Sequence, residues 1–407
     1  MHSLSPNPAW ASLPLFDRTG WKRMAFGAFA ENIGERAEPK DAQEEIYVGL
    51  EHLDPQCLHI RRWGKGSDVT GTKLRFRKGD IIFGKRRAYQ RKLAVAEFGG
   101  ICSAHAMVIR ARPDKVLPEF LPFLMMSDRF MNRAVEISVG SLSPTINWTT
   151  LKLESFDLPP LDQQRRIAEI LWAVDAAASA TTEVFNSAES YRNVFLRDAF
   201  DKLTDKHLRF RTVQELIDAG VIESPQDGNH GELHPTAKDY VPEGIPFVMA
   251  NDIQDGRLAL NTCKRIPEAV AKKLRIGFAK PGDILLSHKG SIGLTTVVPD
   301  SVGEFVMLTP QVTYYRVKDS KRLRPKFLLA VLNSEQFQRV FQVRAKQSTR
   351  DYIGILAQRE LPVSIPDVDE QDRILENLDK VEAAVRALEM HLASDAGLFA
   401  KSINTLC

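Results

Sequence analysis

The sequence predicts a mixed α/β protein: two similar α+β domains separated by two long antiparallel helices that form an intramolecular coiled coil. Three observations predict it. From residue 73 the chain reads KLRFRKGDIIFG, then PEFLPFLMMSDRF, then LPPLDQQRRIAEILWAVDA. From residue 273 the same order returns as KLRIGFAKPGDILLS, PKFLLAVLNSEQF and IPDVDEQDRILENLDKVE. Repetition of a whole ordered set marks two copies of one unit, so the 407 residues divide into halves of a size that can each bury a core. Each copy has short β-type runs entered by a Gly-Asp turn, and each closes in a long stretch with helical apolar spacing.

In chain order, Ile46–Leu50 and Gly79–Phe83 read as short strands, the second led in by Lys78-Gly79-Asp80. Its counterpart in the second copy is Lys280 to Leu286, where Pro281 further fixes the turn. Residues 101–110 and 306–317 supply a further strand each. Pro118 and Pro325 open short helices expected to end near Phe130 and Phe337, because proline in a first turn sacrifices no hydrogen bond.

The tails differ in kind. From Asp162 to about Phe200 no proline or glycine occurs, and Ile167, Leu171, Val174, Ala178, Thr181, Phe185 and Ala188 recur at alternating spacings of four and three. The second tail repeats the pattern with Ile374, Leu378, Val381, Val385, Leu388, Leu392 and, after a polar Asp395, Phe399. Such a stripe is a seam for one partner helix, and a run of about 38 residues is roughly 57 Å long. A whole domain lies between the two tails, so the chain can return and pair them antiparallel. Packing of each helix on its own domain, or on another chain, is the competing arrangement. Asp162 and Asp369 are placed to cap the helix starts, with Gln163, Gln164, Arg165 and Arg166 facing outward or toward a partner. The aromatics Trp172, Phe185, Tyr191, Phe195 and Phe200 exceed what one seam uses. The expected boundaries are 1–157 for the first domain, 158–203 for its helix, 204–365 for the second domain and 366–407 for its helix.

A net charge of +3 says little about partners, but its distribution says more. Between Arg61 and Lys92 stand twelve basic residues against Asp68 and Asp80, and a weaker bias returns around Lys264–Lys289. Such runs suit a polyanion, against the bland reading of a merely solvated face. Cys57, Cys102, Cys263 and Cys407 are far apart and form no CxxC pair, which indicates neither a disulfide framework nor a structural zinc site. The absence of a leader-like N-terminus or an 18-residue apolar run leads to the expectation of a cytoplasmic protein with no membrane partner.

With these features in order, the chain resembles the specificity subunit of a Type I restriction-modification system. The resemblance covers nearly the whole chain. It rests on Tyr47–Leu53, Lys78–Lys85, Gly140–Ile146 and Leu158–Ile167, and in the second half on Asp227–Gly231, Gly244–Phe247, Pro281–Leu285 and Asp369–Ile374. It implies two target recognition domains that each read one half of a split, asymmetric site in double-stranded DNA. It further implies two methyltransferase subunits held on the helices, directed to methylate adenine, and two restriction subunits in systems that also cut. The implied cofactors, S-adenosylmethionine, ATP and Mg2+, belong to those partners. No cofactor, catalytic or metal site is expected in this chain.

The candidate DNA-binding residues follow from placement. Lys85, Arg86 and Arg87 leave a strand where long basic side chains can reach a duplex. Arg86 or Arg87 is expected to read guanine, while Lys85, Arg91 and Lys92 hold phosphates. Lys73 and Arg75, and in the second copy Lys273, Arg275, Ser287, His288 and Lys289, complete the set. Asn229 and His230, in the Asp227-Gly228-Asn229-His230-Gly231 segment that has no counterpart in the first half, are read as a DNA-facing or structurally tight loop. His230 and His234, with Glu232, have helical ligand spacing, but Gly228, Gly231 and Pro235 argue against a helix and hence a metal site. Asn7-Pro8-Ala9-Trp10 is similar to the Asn-Pro-Pro-Tyr loop of adenine methyltransferases at two positions, but lacks the second proline and the tyrosine. A specificity subunit of a methyltransferase-only complex, a coiled-coil adaptor that does not bind DNA, and an enzyme with an unrecognised site are the alternatives.

Overall fold

The computed structural model describes residue 15 and residues 17–203, 208–231, 234–346 and 351–407, so that Asn7-Pro8-Ala9-Trp10 and Glu232 lie outside the described residues. It comprises two compact units, one made of residues 1–183 with 389–407 and the other of residues 184–388.

In the first unit, the antiparallel strands Ala30–Ile33, Ala106–Ala111, Ile81–Gly84 and Leu93–Val95 form one sheet in that order. A second sheet of five strands runs Arg36–Ala37, Lys73–Phe76, Gly100–Cys102, Ile46–Val48 and Gly64–Lys65, with one parallel pairing between Ile46–Val48 and Gly100–Cys102. The second unit repeats this plan. Thr295–Val297, Ile284–Ser287 and Val312–Tyr315 form one sheet, and Lys264–Ile266, Ile245–Val248, Val306–Leu308 and Phe278–Ala279 the other, again with one parallel pair. The register repeats as well: Val108 lies opposite both Ile82 and Ile33, and Tyr314 lies opposite both Leu285 and Gln226. Residues 101–110 and 306–317, read as one strand each, are each broken in two at a turn, because the chain leaves one sheet there to join the other.

The short helices differ from expectation. Neither ends near Phe130 or Phe337. A kink at Ser127 separates Leu121–Met126 from Asp128–Glu136, and one at Ser334 separates Pro325–Asn333 from Glu335–Ala345. Each serine is extended and caps the following helix, its Oγ accepting from the amide of Phe130 or Phe337 at 3.3 Å and donating to the carbonyl of Leu124 or Val331 at 2.7 Å.

The long helices are Leu161–Asp201 and Val368–Leu406. Within the first unit the start of the first helix, through Ile167 and Leu171, shares a core with Phe399, Ile403 and Leu406 from the end of the second, under Phe26, Phe123 and Phe130. Within the second unit the opposite ends meet, Phe195, Leu196 and Phe200 packing with Ile374, Leu375 and Leu378. The pairing is therefore antiparallel, and the expected seam is the buried one. Ile167, Leu171, Ile374, Leu378 and Val385 are buried, Val174, Phe185, Val381, Leu388 and Leu392 half-buried, and their outward neighbours exposed. The helix ends also pack into the domain cores, so pairing of the helices and packing on a domain coexist. The polar seam position Asp395 accepts a 2.9 Å hydrogen bond from Thr181, which satisfies both.

Two expectations about the helix starts are corrected. The side chain that caps the second helix is Asp367, which accepts from the Glu370 amide at 3.0 Å, while Asp162 and Asp369 lie inside the first turns, where their charge suits the helix dipole. Gln164 does not face outward. It and Gln371 are fully buried at matched positions. Gln164 accepts from the Leu117 amide and donates to the carbonyls of Lys115 and Pro159, and Gln371 does the same with Arg324, Arg322 and Pro366, all at 2.8–3.1 Å. Each glutamine thus bolts the helix to three backbone groups of its own domain. Gln163 also turns inward, to Trp21 and the carbonyls of Leu15 and Asp17.

Candidate nucleic-acid interface

In each unit the Gly-Asp turn sets the strand that leads to the candidate loop. Asp80 is buried, accepts from the Arg77 amide at 2.8 Å and takes both nitrogens of Arg110 at 2.7 and 2.9 Å. Asp283 repeats this with the Lys280 amide at 2.7 Å and Arg316 at 2.8 and 2.6 Å. Two charge-assisted bonds in a fixed fork hold each turn rigidly against the next strand. Strands Ile81–Gly84 and Ile284–Ser287 then deliver the chain to Lys85-Arg86-Arg87 and to His288-Lys289.

Carboxylates sort the basic residues of the first run. Arg75 pairs with Glu45 at 2.7 Å and Glu35 at 3.6 Å, Arg77 with Glu35 at 3.4 Å, Arg62 with Asp54 and Arg91 with Asp128. Lys92 donates to the carbonyl of Leu50 at 2.8 Å. Arg75, Arg91 and Lys92 are thereby engaged within the domain, whereas Arg62 and Arg77 stay largely exposed despite their partners. By contrast, no ion pair among the described residues uses Arg36, Lys73, Lys85, Arg86 or Arg87. Arg87 also stands at φ +57°, a left-handed conformation that a non-glycine residue adopts at a cost, held by its amide's bond to the Pro144 carbonyl at 2.7 Å. Lys73 is nearly buried and its ammonium donates to the carbonyls of Thr70 and Gly71. Arg86 lies 3.3 Å from the His105 ring. Burial, followed by the charges of Arg86, Lys85 and Lys73, pushes the pKa of His105 down, which reports a positive field at this place.

The second loop is unlike the first. Ser287 and His288 are fully buried: Ser287 accepts from the Leu294 amide at 2.8 Å, and His288 Nδ1 lies 2.9 Å from the Ile353 carbonyl. Neither reaches the surface, which corrects their expected contact with DNA. Lys289 is exposed, its ammonium 6.0 Å from the Tyr352 ring centre, and Lys273 and Arg275 are exposed too. Asn229 is buried and braces the chain, donating to the Ile276 carbonyl at 2.6 Å and accepting from the Arg275 amide at 3.0 Å. The Asp227–Gly231 segment is tightly packed through Asn229, while His230 remains exposed. A Cβ at Gly228 would sit 1.8 Å from the Leu308 carbonyl, so glycine is the residue that fits. Exposed His230 bonds Asp227 at 2.9 Å, and His234 faces the Asn229 carbonyl at 3.2 Å.

Gln164 and Gln371 are the positioning residues that sequence reasoning missed. Their signal was present in the repeat, since both fall on the same matched segment, but a glutamine on a helix start does not by itself reveal which way it faces.

Fold and site together define a class: a duplicated α+β reader carried on a pair of long helices. The family model for the Type I restriction modification DNA specificity domain matches residues 61–188 and 220–393, and the chain belongs to that family. It is 30% identical over 177 residues to the Type I restriction enzyme EcoDI specificity subunit of Escherichia coli, a match covering 41% of this chain and 38% of that one. To the MjaVIII specificity subunit of Methanocaldococcus jannaschii it is 20% identical over 372 residues, 89% of this chain and 86% of the relative. A chain from a structure of a type I R-M system matches with TM-score 0.59 at 22% identity, covering 95% of this chain and 97% of that one. The Type I system S subunit from M. genitalium matches with TM-score 0.57 at 14% identity over 97% and 98%. Those two likenesses support the fold. No described helix is long and apolar enough to cross a membrane.

Proposed function

We propose that this chain recognises a bipartite, asymmetric sequence in double-stranded DNA, one block per unit, and directs the chemistry of partner subunits to it. In this reading two methyltransferase subunits, supplied with S-adenosylmethionine, methylate adenine at the site. In a restricting system two restriction subunits add ATP- and Mg2+-dependent cleavage. The chain itself contributes recognition and spacing. The observation that carries this reading is that one framework, repeated in register, presents two unlike loops: uncompensated Lys85, Arg86 and Arg87 in one unit, buried Ser287 and His288 beside exposed Lys289 in the other. Identical loops would favour a palindrome; unlike loops favour different half-sites.

The test is to map methylated adenines in DNA from cells carrying this chain and its methyltransferase partner. Two short, different blocks at a constant gap are expected. A single uninterrupted block, or methylation without sequence preference, would overturn the reading.

A further inference from the structure

The first unit contains a cleft of about 430 Å3 beside the loop just described. Arg36, Lys73 and Lys85 line it together with Asn147, and no carboxylate does. We propose that this cleft grips a phosphate of the DNA backbone, and that the second unit has replaced the uncompensated lysine at the matching position by a buried carboxylate and histidine, so that the two units hold DNA by different means. The proposal rests on the reading of the chain as a DNA-recognition subunit and deepens it.

The repeat itself supplies the comparison. Lys85 and His288 follow matched strands, and the carbonyl of each accepts from a matched amide, Ile146 at 2.9 Å and Ile353 at 3.1 Å. Ile33 and Gln226 are matched by their pairing to Val108 and Tyr314, which makes Gly34 the counterpart of Asp227. In the second unit those two positions face each other. Buried Asp227 lies 3.7 Å from buried His288 and 2.9 Å from His230, so a carboxylate and two rings occupy the place. In the first unit the same two positions are a glycine with open space around it and a half-buried lysine without a carboxylate. Arg36 and Lys85 line this cleft with no carboxylate to compensate them, and an oxyanion supplies the missing counter-charge. Burial first, and then the charges of Arg86, Lys85 and Lys73, lower the pKa of the neighbouring His105. A phosphodiester supplies the charge in the form the long side chains can chelate, and the contact is sequence-independent.

The full chain with its methyltransferase partner, on duplexes carrying the mapped site, tests this across a salt series. Lys85→Gln and Arg36→Gln should each weaken binding several-fold and shrink the slope of log affinity against log salt by about one, with base preferences unchanged. Gly34→Asp, which imports the carboxylate of the second unit into open space, should act in the same direction at an unchanged melting temperature. A neutral methylphosphonate placed at successive linkages should weaken the wild type at one of them and cost Lys85→Gln nothing further there. Selective wild-type binding with unaltered affinity and slope in both charge variants would overturn this proposal alone, as would a changed base preference in Lys85→Gln. Thermal stabilisation by inorganic phosphate that depends on Lys85, with no sensitive linkage in the DNA, would assign the cleft to free phosphate and overturn it too. Failure of the wild type to select any sequence would instead remove the underlying reading.

Discussion

At the scale of single residues, the positions that matter most are polar and buried. Gln164 and Gln371 each satisfy three backbone groups where a domain meets its helix, and removal of the amide strands an amide donor and two carbonyls away from water. We expect Gln371→Ala to cost about 3 kcal/mol, read as a drop of roughly 6–12 °C in the melting temperature. Gln371→Glu should recover part of the loss, because it keeps the acceptor for the Arg324 amide but not the donor. A variant melting with the wild type would show that these bonds hold nothing. The buried Asp80 and Asp283 were legible as turn residues from their Gly-Asp context. Their forks to Arg110 and Arg316 were not, since those arginines lie some thirty residues away and meet them through strand pairing.

At the scale of elements, each unit ties a cation to a carboxylate at a matched position of its long helix. His59 lies 2.6 Å from Asp175 and 2.7 Å from Glu97, while in the second unit Lys326 lies 2.8 Å from Glu382. The hydrogen bond to Asp175, reinforced by Glu97, raises the pKa of His59 to about 9. A raised folded pKa means that this stabilisation is complete below the ordinary histidine value and is lost as pH rises through about 9. The wild type should therefore lose melting temperature between about pH 7 and about pH 10 more steeply than His59→Gln. Parallel profiles would exclude the latch. The second unit, which uses a lysine, should not contribute to this loss.

The helix seam carries a second device. Thr181 and Asp395 interrupt an apolar stripe with one satisfied hydrogen bond, an arrangement that fixes register at some cost in stability. Thr181→Val alone should destabilise by about 1 kcal/mol, by leaving a seam carboxylate unpaired. Thr181→Val with Asp395→Leu should melt above the single variant yet show mixed association states by native mass spectrometry. Simple additivity of the two changes would argue against a coupled pair.

At the scale of the molecule, a helix of 41 residues has a length of about 61 Å, and the antiparallel partner must match any change in it. If the helices act as a ruler, adding four residues to the middle of both, about one turn or 6 Å, should lengthen the gap between methylated blocks by roughly two base pairs while leaving both blocks intact. An unchanged gap would sink the ruler.

The sequence by itself determined the duplication, the α+β character of each copy, the two long helices and the residues of their seam. All of these are local periodicities or ordered repeats that survive without coordinates. What the tertiary structure alone decided is which polar side chains turn inward and which charges go uncompensated. Ser287, His288, Asn229 and Gln164 look like surface chemistry in one dimension and prove to be internal braces. Arg75 and Arg91 are as basic as Lys85 and Arg87, yet they meet carboxylates and the latter two do not. The physical reason is that burial and charge pairing depend on partners far apart along the chain, and proximity of that kind is made by strand register and helix packing.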